Sequence, residues 1–213
     1  MKKLIPFVIL SFLCGCAGSQ QAAKTPYTIP ANIKARPTVA IYETLHDCMQ
    51  IPYNSKNMRL YLMRGHAINA GVNKDGRIFI TEGAFILDDE SLTFILAHEL
   101  SHVKLDHYNN RVTASYAVTG TMLIVNRIIP GAGYLNHIIN PAIVNNFSKT
   151  QEYDADKMAS EACQRCFNMS VEKQVHILKN LKALTVDAGG FWDTHPAWED
   201  RIKNISEPSP TPP

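Results

Sequence analysis

The stretch Ala97-His98-Glu99-Leu100-Ser101-His102-Val103 constrains this chain more than any other. Its H-E-x-x-H pattern has a chemical meaning only on a helix, where His98 and His102 stand one turn apart and project from the same face. Two imidazoles so placed can share one zinc ion, each about 2.0–2.1 Å from it. Glu99 is offset by about 100° and lies beside such an ion rather than on it. That position suits a general base that takes a proton from a water activated by the metal.

The flanking residues support the helix. Asp88, Asp89 and Ser91 offer N-caps, and Asp89 and Glu90 put negative charge at the positive end of the helix dipole. Leu92, Ile95, Leu96, Leu100 and Val103 recur at the spacing of a buried face. The helix is expected to run on through Leu105 to about Tyr108. His107 then reads as a helix-end histidine near the C-terminal dipole. It follows His102 by five residues without an intervening glycine, unlike the third histidine of metzincins, and so is not taken as a ligand.

A hydrolytic zinc site needs a third protein ligand and leaves one position for water. The run Gln151-Glu152-Tyr153-Asp154-Ala155-Asp156 supplies a candidate on a second helix. Glu152 and Asp156 share a face, four residues apart. Glu152 is the candidate ligand. Asp156, one turn further, is placed to accept the second N–H of a ligand histidine and fix its tautomer.

The N-terminus reads as an address. Met1-Lys2-Lys3 is a basic start, and the apolar run Leu4 to Leu13 is too short to cross a bilayer, as a secretory signal is. It ends in Leu13-Cys14-Gly15-Cys16, which resembles a bacterial lipobox, so residues 1–15 are expected to be removed and Cys16 lipidated. Several acyl chains give stable anchoring. The resemblance to Gram-negative lipoprotein sorting, with Ala17 and not Asp after the cysteine, implies the outer membrane, facing the periplasm. Residues 16–37 read as lipidated N-terminus and tether, rich in Gln, Ala, Ser and Pro. Residues 38–206 are left for one domain, and the Pro-rich residues 207–213 for a disordered tail.

Charge says little about partners. The formal net charge is +2, and loss of Lys2 and Lys3 would bring it to about zero. No basic block interleaved with aromatics argues for nucleic acid. Once Cys14 has left with the signal and Cys16 carries lipid, Cys48, Cys163 and Cys166 remain, compatible with one disulfide and one unpaired thiol in an oxidising compartment. The sequence leaves the pairing open. No second Cys pair exists to complete a zinc ribbon with Cys163 and Cys166.

Along the domain, Thr38 to Gln50 reads as a helix and Arg59 to Met63 as a strand, followed by a loop with Gly65. Asn73-Lys74-Asp75-Gly76 is a tight-turn signal, and Arg77-Ile78-Phe79-Ile80-Thr81 has strand composition, so a β-hairpin precedes the H-E-x-x-H helix. Val112 to Phe147 is mostly apolar but is broken by Asn126, Arg127 and Pro130-Gly131-Ala132-Gly133. It falls short of the ~20 residues of a membrane span. Two helices around a Gly-rich turn are expected there, mostly core, with partial contact to a membrane surface as the alternative. Ser170 to Asp187 reads as a packing helix. Gly189-Gly190 opens a loop carrying His195-Pro196, and Pro196 suits the first turn of a helix through Arg201.

Taken together, the chain resembles the HtpX-like, Ste24-type zinc metallopeptidases of the gluzincin clan. The matching pieces are Asn69-Ala70, the Gly76 to Gly83 strand, the 97–103 motif, the 151–156 motif and Thr194-His195-Pro196, in family order across about residues 40–205. The lipobox adds similarity to the periplasmic lipoprotein members. The resemblance implies a mainly α, α+β zincin-like domain with a small β-sheet packed on the H-E-x-x-H helix. It implies one Zn2+ per chain on His98, His102 and Glu152, with Glu99 as the base. It also implies that the His195 loop lies near the metal, to polarise the carbonyl, stabilise the oxyanion or occlude the site. Arg201 would be a second oxyanion group or a support behind the ligands. Residues Arg77, Ile78, Phe79, Ile80 and Thr81 would form a sheet edge to which an extended substrate adds as a strand.

The activity implied is an endopeptidase acting on unfolded or misassembled envelope proteins, anchored to the membrane through lipid. The rivals are a chaperone-like lipoprotein of the outer-membrane assembly machinery with little proteolysis, and a non-catalytic protein whose zinc is closed by a fourth ligand such as His195.

Overall fold

Helix α2, Asp89–Lys104, runs through the middle of the fold, and most of what positions the site is packed on it. In the computed structural model the described residues are 35–54, 59–72, 77–136, 147–185 and 198–207. The expected leader and Cys16, the turn expected at residues 73–76, Gly189-Gly190, His195-Pro196 and residues 208–213 lie outside them.

Asp88 caps α2, its carboxylate accepting the Ser91 N–H at 2.7 Å. The apolar stripe expected for α2 understates its burial. Every residue from Ser91 to His102 is buried, so the helix is covered on all sides. Four helices surround it: α1, Ala35–Cys48, then α4, Lys149–Phe167, α5, Val171–Thr185, and the first turns of α3, His107–Ile128. The longest packing is with α4, whose buried stripe is Glu152, Ala155, Asp156, Ala159, Ala162 and Cys163. Alanines along that stripe allow close approach of the two helices. Helix α6, Trp198–Ser206, closes against α4 and α5.

The sheet lies ahead of α2 in sequence and packs on it. Its strands are β1, Tyr61–Met63, β2, Ala70–Val72, and β3, Ile78–Thr81, in the order β1-β3-β2. The hairpin is β2–β3, paired antiparallel from Ala70↔Ile80 to Val72↔Ile78. Its first arm is therefore not the 59–63 segment, which instead pairs parallel with β3, Leu62 against Ile80. Ala70-Gly71-Val72 lacks the bulky alternation that marks a strand, which is why the sequence concealed it.

The expected edge role of Arg77, Ile78, Phe79, Ile80 and Thr81 is overturned. Among the described strands β3 is central, with both flanks paired. Ile78 and Ile80 are 0% and 1% exposed, as suits an inner β-branched strand. The polypeptide cannot add where β1 and β2 already sit; the outer strands are those two.

After β3 the chain enters a 3-10 turn, Glu82–Ile86, at Gly83. A Cβ at Gly83 would stand 2.2 Å from the His66 carbonyl oxygen, so no other residue fits without moving backbone. The Thr81 hydroxyl donates to the Ala67 carbonyl at 2.7 Å, and the Thr81 N–H donates to Asn69 O at 2.9 Å. These bonds fix the loop before α2.

Two further expectations change. Helix α2 stops at Lys104, and Asp106, with φ of 54° in the left-handed region, redirects the chain into α3. Asp tolerates that conformation better than most side chains. The described residues 112–136 are not core either. Leu123, Ile124 and Ile128 on α3 and Ile129 and Tyr134 beyond it are exposed, Ile128 at 77%. Ala132–Leu135 forms a short 3-10 turn, and residues 137–146 lie outside the described set. Among the described residues no helix is long and apolar enough to cross a membrane.

Cys48, at the end of α1, is bridged to Cys166, in the last turn of α4, with Cα atoms 6.2 Å apart. Cys163 is the buried free thiol. Burial pushes its ionisation up to about 12.

Candidate metal centre

His98 and His102 point from α2 toward Glu152 on α4, and all three side chains are buried to within 1%. The two Nε2 atoms are 3.0 Å apart. Glu152 Oε2 lies 3.5 Å from His98 Nε2, and its Oε1 3.5 Å from His102 Nε2. Ligands about 2.0–2.1 Å from a tetrahedral ion stand about 3.3–3.4 Å from one another. The two imidazole nitrogens and the Glu152 carboxylate, which turns one oxygen toward each ring, are thus spaced close to the ligands of such an ion. Among the described residues this is the cluster able to hold a metal.

A polar frame stands behind these ligands. His98 Nδ1 donates to Asp156 Oδ1 at 2.8 Å, which leaves Nε2 to face the cluster. Asp156 is gripped in turn by Arg201 from α6: Nε to Oδ2 and Nη2 to Oδ1, both 2.7 Å. Arg201 Nη1 also stands 3.6 Å from Glu152 Oε2. Burial alone would raise the Asp156 carboxyl, but the Arg201 charge and hydrogen bonds outweigh it, and the group is held below its usual range. On His98, burial and the Arg201 charge favour the neutral ring, yet Asp156 and Glu152 together raise it to about 9.

The second histidine has different company. His102 Nδ1 is 2.9 Å from Nδ1 of His107, the first residue of α3, which is 4% exposed. The Phe147 ring stacks on His102 at 3.7 Å and 23°, and the Arg111 guanidinium lies 3.7 Å from the centre of the same ring. Burial lowers the ionisation of both His107 and Arg111. Glu99 is fully buried, next to His98 on α2, within the fields of the Arg111 and Arg201 charges.

The family model for peptidase family M48 matches residues 34–209, and thus spans the whole of this arrangement. The chain belongs to that family. It is also similar to the metalloprotease YcaL of Escherichia coli, 24% identical over 160 residues, which is 71% of this chain and 61% of that protein. The chain thus spans about three fifths of that relative's length, 61%. The family accounts for the mainly helical domain with its small sheet, and its members use a metal, which the histidine and glutamate cluster could hold.

Of the residues singled out from sequence, His98, His102, Glu152, Asp156 and Arg201 come together in one buried frame, with Glu99 alongside. Of the two roles left open for Arg201, the described contacts are those of a support: at 0% exposure its guanidinium holds Asp156 behind His98. Ile78–Thr81 form the central strand of the described sheet, not an edge, and Arg77 precedes it, exposed. His195 and Cys16 lie outside the described residues. Three members of the frame were not evident from sequence: His107, Arg111 and Phe147. Asp106 was the available signal, because an Asp after a helix can take the left-handed turn that ends it.

Proposed function

We propose that this protein is a zinc-dependent endopeptidase that cleaves unfolded or misassembled proteins of a bacterial cell envelope. The observation that carries the reading is the tetrahedral-edge spacing of His98, His102 and Glu152. When bound there, zinc would supply a Lewis acid for the scissile carbonyl and acidify a water molecule. Glu99, next to the ligand His98 on α2, would accept the proton of the attacking water and return it to the leaving amine. Asp156 and Arg201 would keep the His98 ring oriented throughout. His195 is a candidate to stabilise the oxyanion or to block the site at rest, and His195→Ala would change kcat in opposite directions for those two roles.

The lipobox around Cys16 supports a lipid anchor, and its resemblance to sorting signals supports the outer membrane facing the periplasm. The exposed apolar residues at the far end of α3 are compatible with work close to a bilayer. A chaperone-like role in outer-membrane assembly is a second reading on the same fold, but four intact residues of a hydrolytic site favour proteolysis.

Metal analysis of the protein lacking residues 1–16 tests the reading. One zinc per chain is expected, with casein hydrolysis lost on chelation and restored by zinc. Glu152→Gln should lose the metal; zinc held by that variant as tightly as by the wild type would misassign the third ligand.

A further inference from the structure

We propose that His107 is a positioning residue of the metal centre, acting as the hydrogen-bond acceptor that fixes His102 in its metal-binding tautomer. The inference rests on the metal reading above and adds to it a residue that neither the H-E-x-x-H motif nor the second carboxylate helix contains.

The contact joins like atoms, Nδ1 to Nδ1, at 2.9 Å between two buried rings. One nitrogen must donate and the other accept. His102 Nε2 faces Glu152 Oε1 and His98 Nε2, so its lone pair is the one a metal would take. A neutral His102 then carries its proton on Nδ1 and donates it to His107. With the direction reversed, the His102 proton would sit on Nε2, in the position of the metal. The acceptor at His107 therefore decides whether His102 can be a ligand at all.

The local fold is arranged to make this contact. A helix continued past Lys104 would carry residue 107 around the axis and away from the His102 ring. Instead α2 ends, Asp106 takes its left-handed turn, and α3 begins with His107 folded back on His102. The His107 carbonyl accepts the side-chain N–H of Gln151 at 3.3 Å. Gln151 is the capping-box residue of α4 and the neighbour of Glu152. The start of α3 is thus tied to the helix that brings the third ligand. Phe147 covers the face of His102 and is 6.2 Å from the His107 ring, which keeps a dry wall on this side.

The two ligand histidines therefore have unlike supports, a carboxylate for His98 and a neutral ring for His102. Chemistry favours the asymmetry. Glu99, Glu152 and Asp156 already place three acidic groups at the centre, and a neutral acceptor orients His102 without a fourth.

The test compares His107→Ala with His107→Asn in the protein lacking residues 1–16. The Asn amide oxygen can stand where Nδ1 of His107 stood and accept the same hydrogen bond; Ala cannot. Zinc affinity is read by competition with a chromogenic chelator, and thermal unfolding of the metal-free proteins reports folding. The expected result is affinity about 10–100-fold weaker for His107→Ala, the range for loss of such a support, and near wild type for His107→Asn. Ala binding as tightly as wild type, or Asn binding as weakly as Ala while folded, overturns the proposal. Imidazole nitrogen NMR of the unaltered zinc-loaded protein is a second measurement, and it needs no variant to fold. It should show His102 protonated at Nδ1 and His107 at Nε2, and the opposite pattern overturns the proposal. A wild type that takes up no zinc would instead overturn the metal reading itself.

Discussion

Arg201 and Asp156 meet through two parallel hydrogen bonds of 2.7 Å, and neither side chain is exposed at all. The pair joins α6 to α4 directly behind His98, so the last helix of the domain bears on the metal ligands. Breaking one side of a buried charge pair costs about 3–5 kcal/mol, because the other charge is left uncompensated. Arg201→Met should lower the stability of the metal-free protein by that order, measured by urea unfolding. Arg201→Lys should also destabilise, since an ammonium keeps the charge but not the two-pronged geometry. Lys matching wild type would show that the fork is not needed.

The disulfide closes a loop with a sequence separation of 118 between its cysteines. Chain-entropy arguments put the stabilisation from so long a loop at about 4–5 kcal/mol. Cys48→Ser or Cys166→Ser should lose stability of that order in urea, and reductant should have the same effect on the wild type. Cys163 behaves differently. Its native thiol stays protonated up to about 12, whereas an unfolded thiol ionises near about 8.5. Between those values the folded state holds the extra proton, so this group makes stability fall as pH rises. Maleimide should leave Cys163 unlabelled at pH 8 until the protein unfolds; labelling of the folded protein would contradict its burial.

Proline at Ile80 tests the sheet order. In a central strand it removes a ladder hydrogen bond and a side chain that is 1% exposed. Ile80→Pro should therefore destabilise the domain by several kcal/mol, about 3 or more. Full stability with only a raised KM would return β3 to the edge of the sheet.

The sequence made the site legible because metal chemistry fixes residue type and spacing together. His98, Glu99 and His102 at helical spacing, with Glu152 and Asp156 four apart, land in the structure as a single buried frame. The helices α1, α2 and α5 were readable from apolar positions, α2 from its caps as well, and α4 from the four-residue spacing of Glu152 and Asp156. Long-range pairing was not readable. Nothing local tells β1 to run parallel to β3, or tells Ala70-Gly71-Val72 that it will be the outer arm of the hairpin. The 112–129 segment misled because apolar composition reports what prefers burial, not what covers it. His107 was hidden because its importance depends on one backbone angle at Asp106.

The anchor has its own test. Cys16→Ser should release the protein from membranes, seen as transfer from the membrane pellet to the soluble fraction, with the folded domain unchanged. Unaltered fractionation would remove the lipobox reading and shift attention to the exposed apolar residues of α3.

Hydrolysis of an unfolded casein-type substrate by zinc-loaded wild type and by zinc-loaded Glu99→Gln separates a hydrolytic centre from a purely structural one. Gln fills the same space and leaves His98, His102 and Glu152 intact, but it accepts no proton. A general base at Glu99 requires equal metal content and a rate lower by about 10²–10⁴-fold, the usual contribution of such catalysis. Equal rates at equal metal content would contradict it, because Glu99 would then have no part in the chemistry.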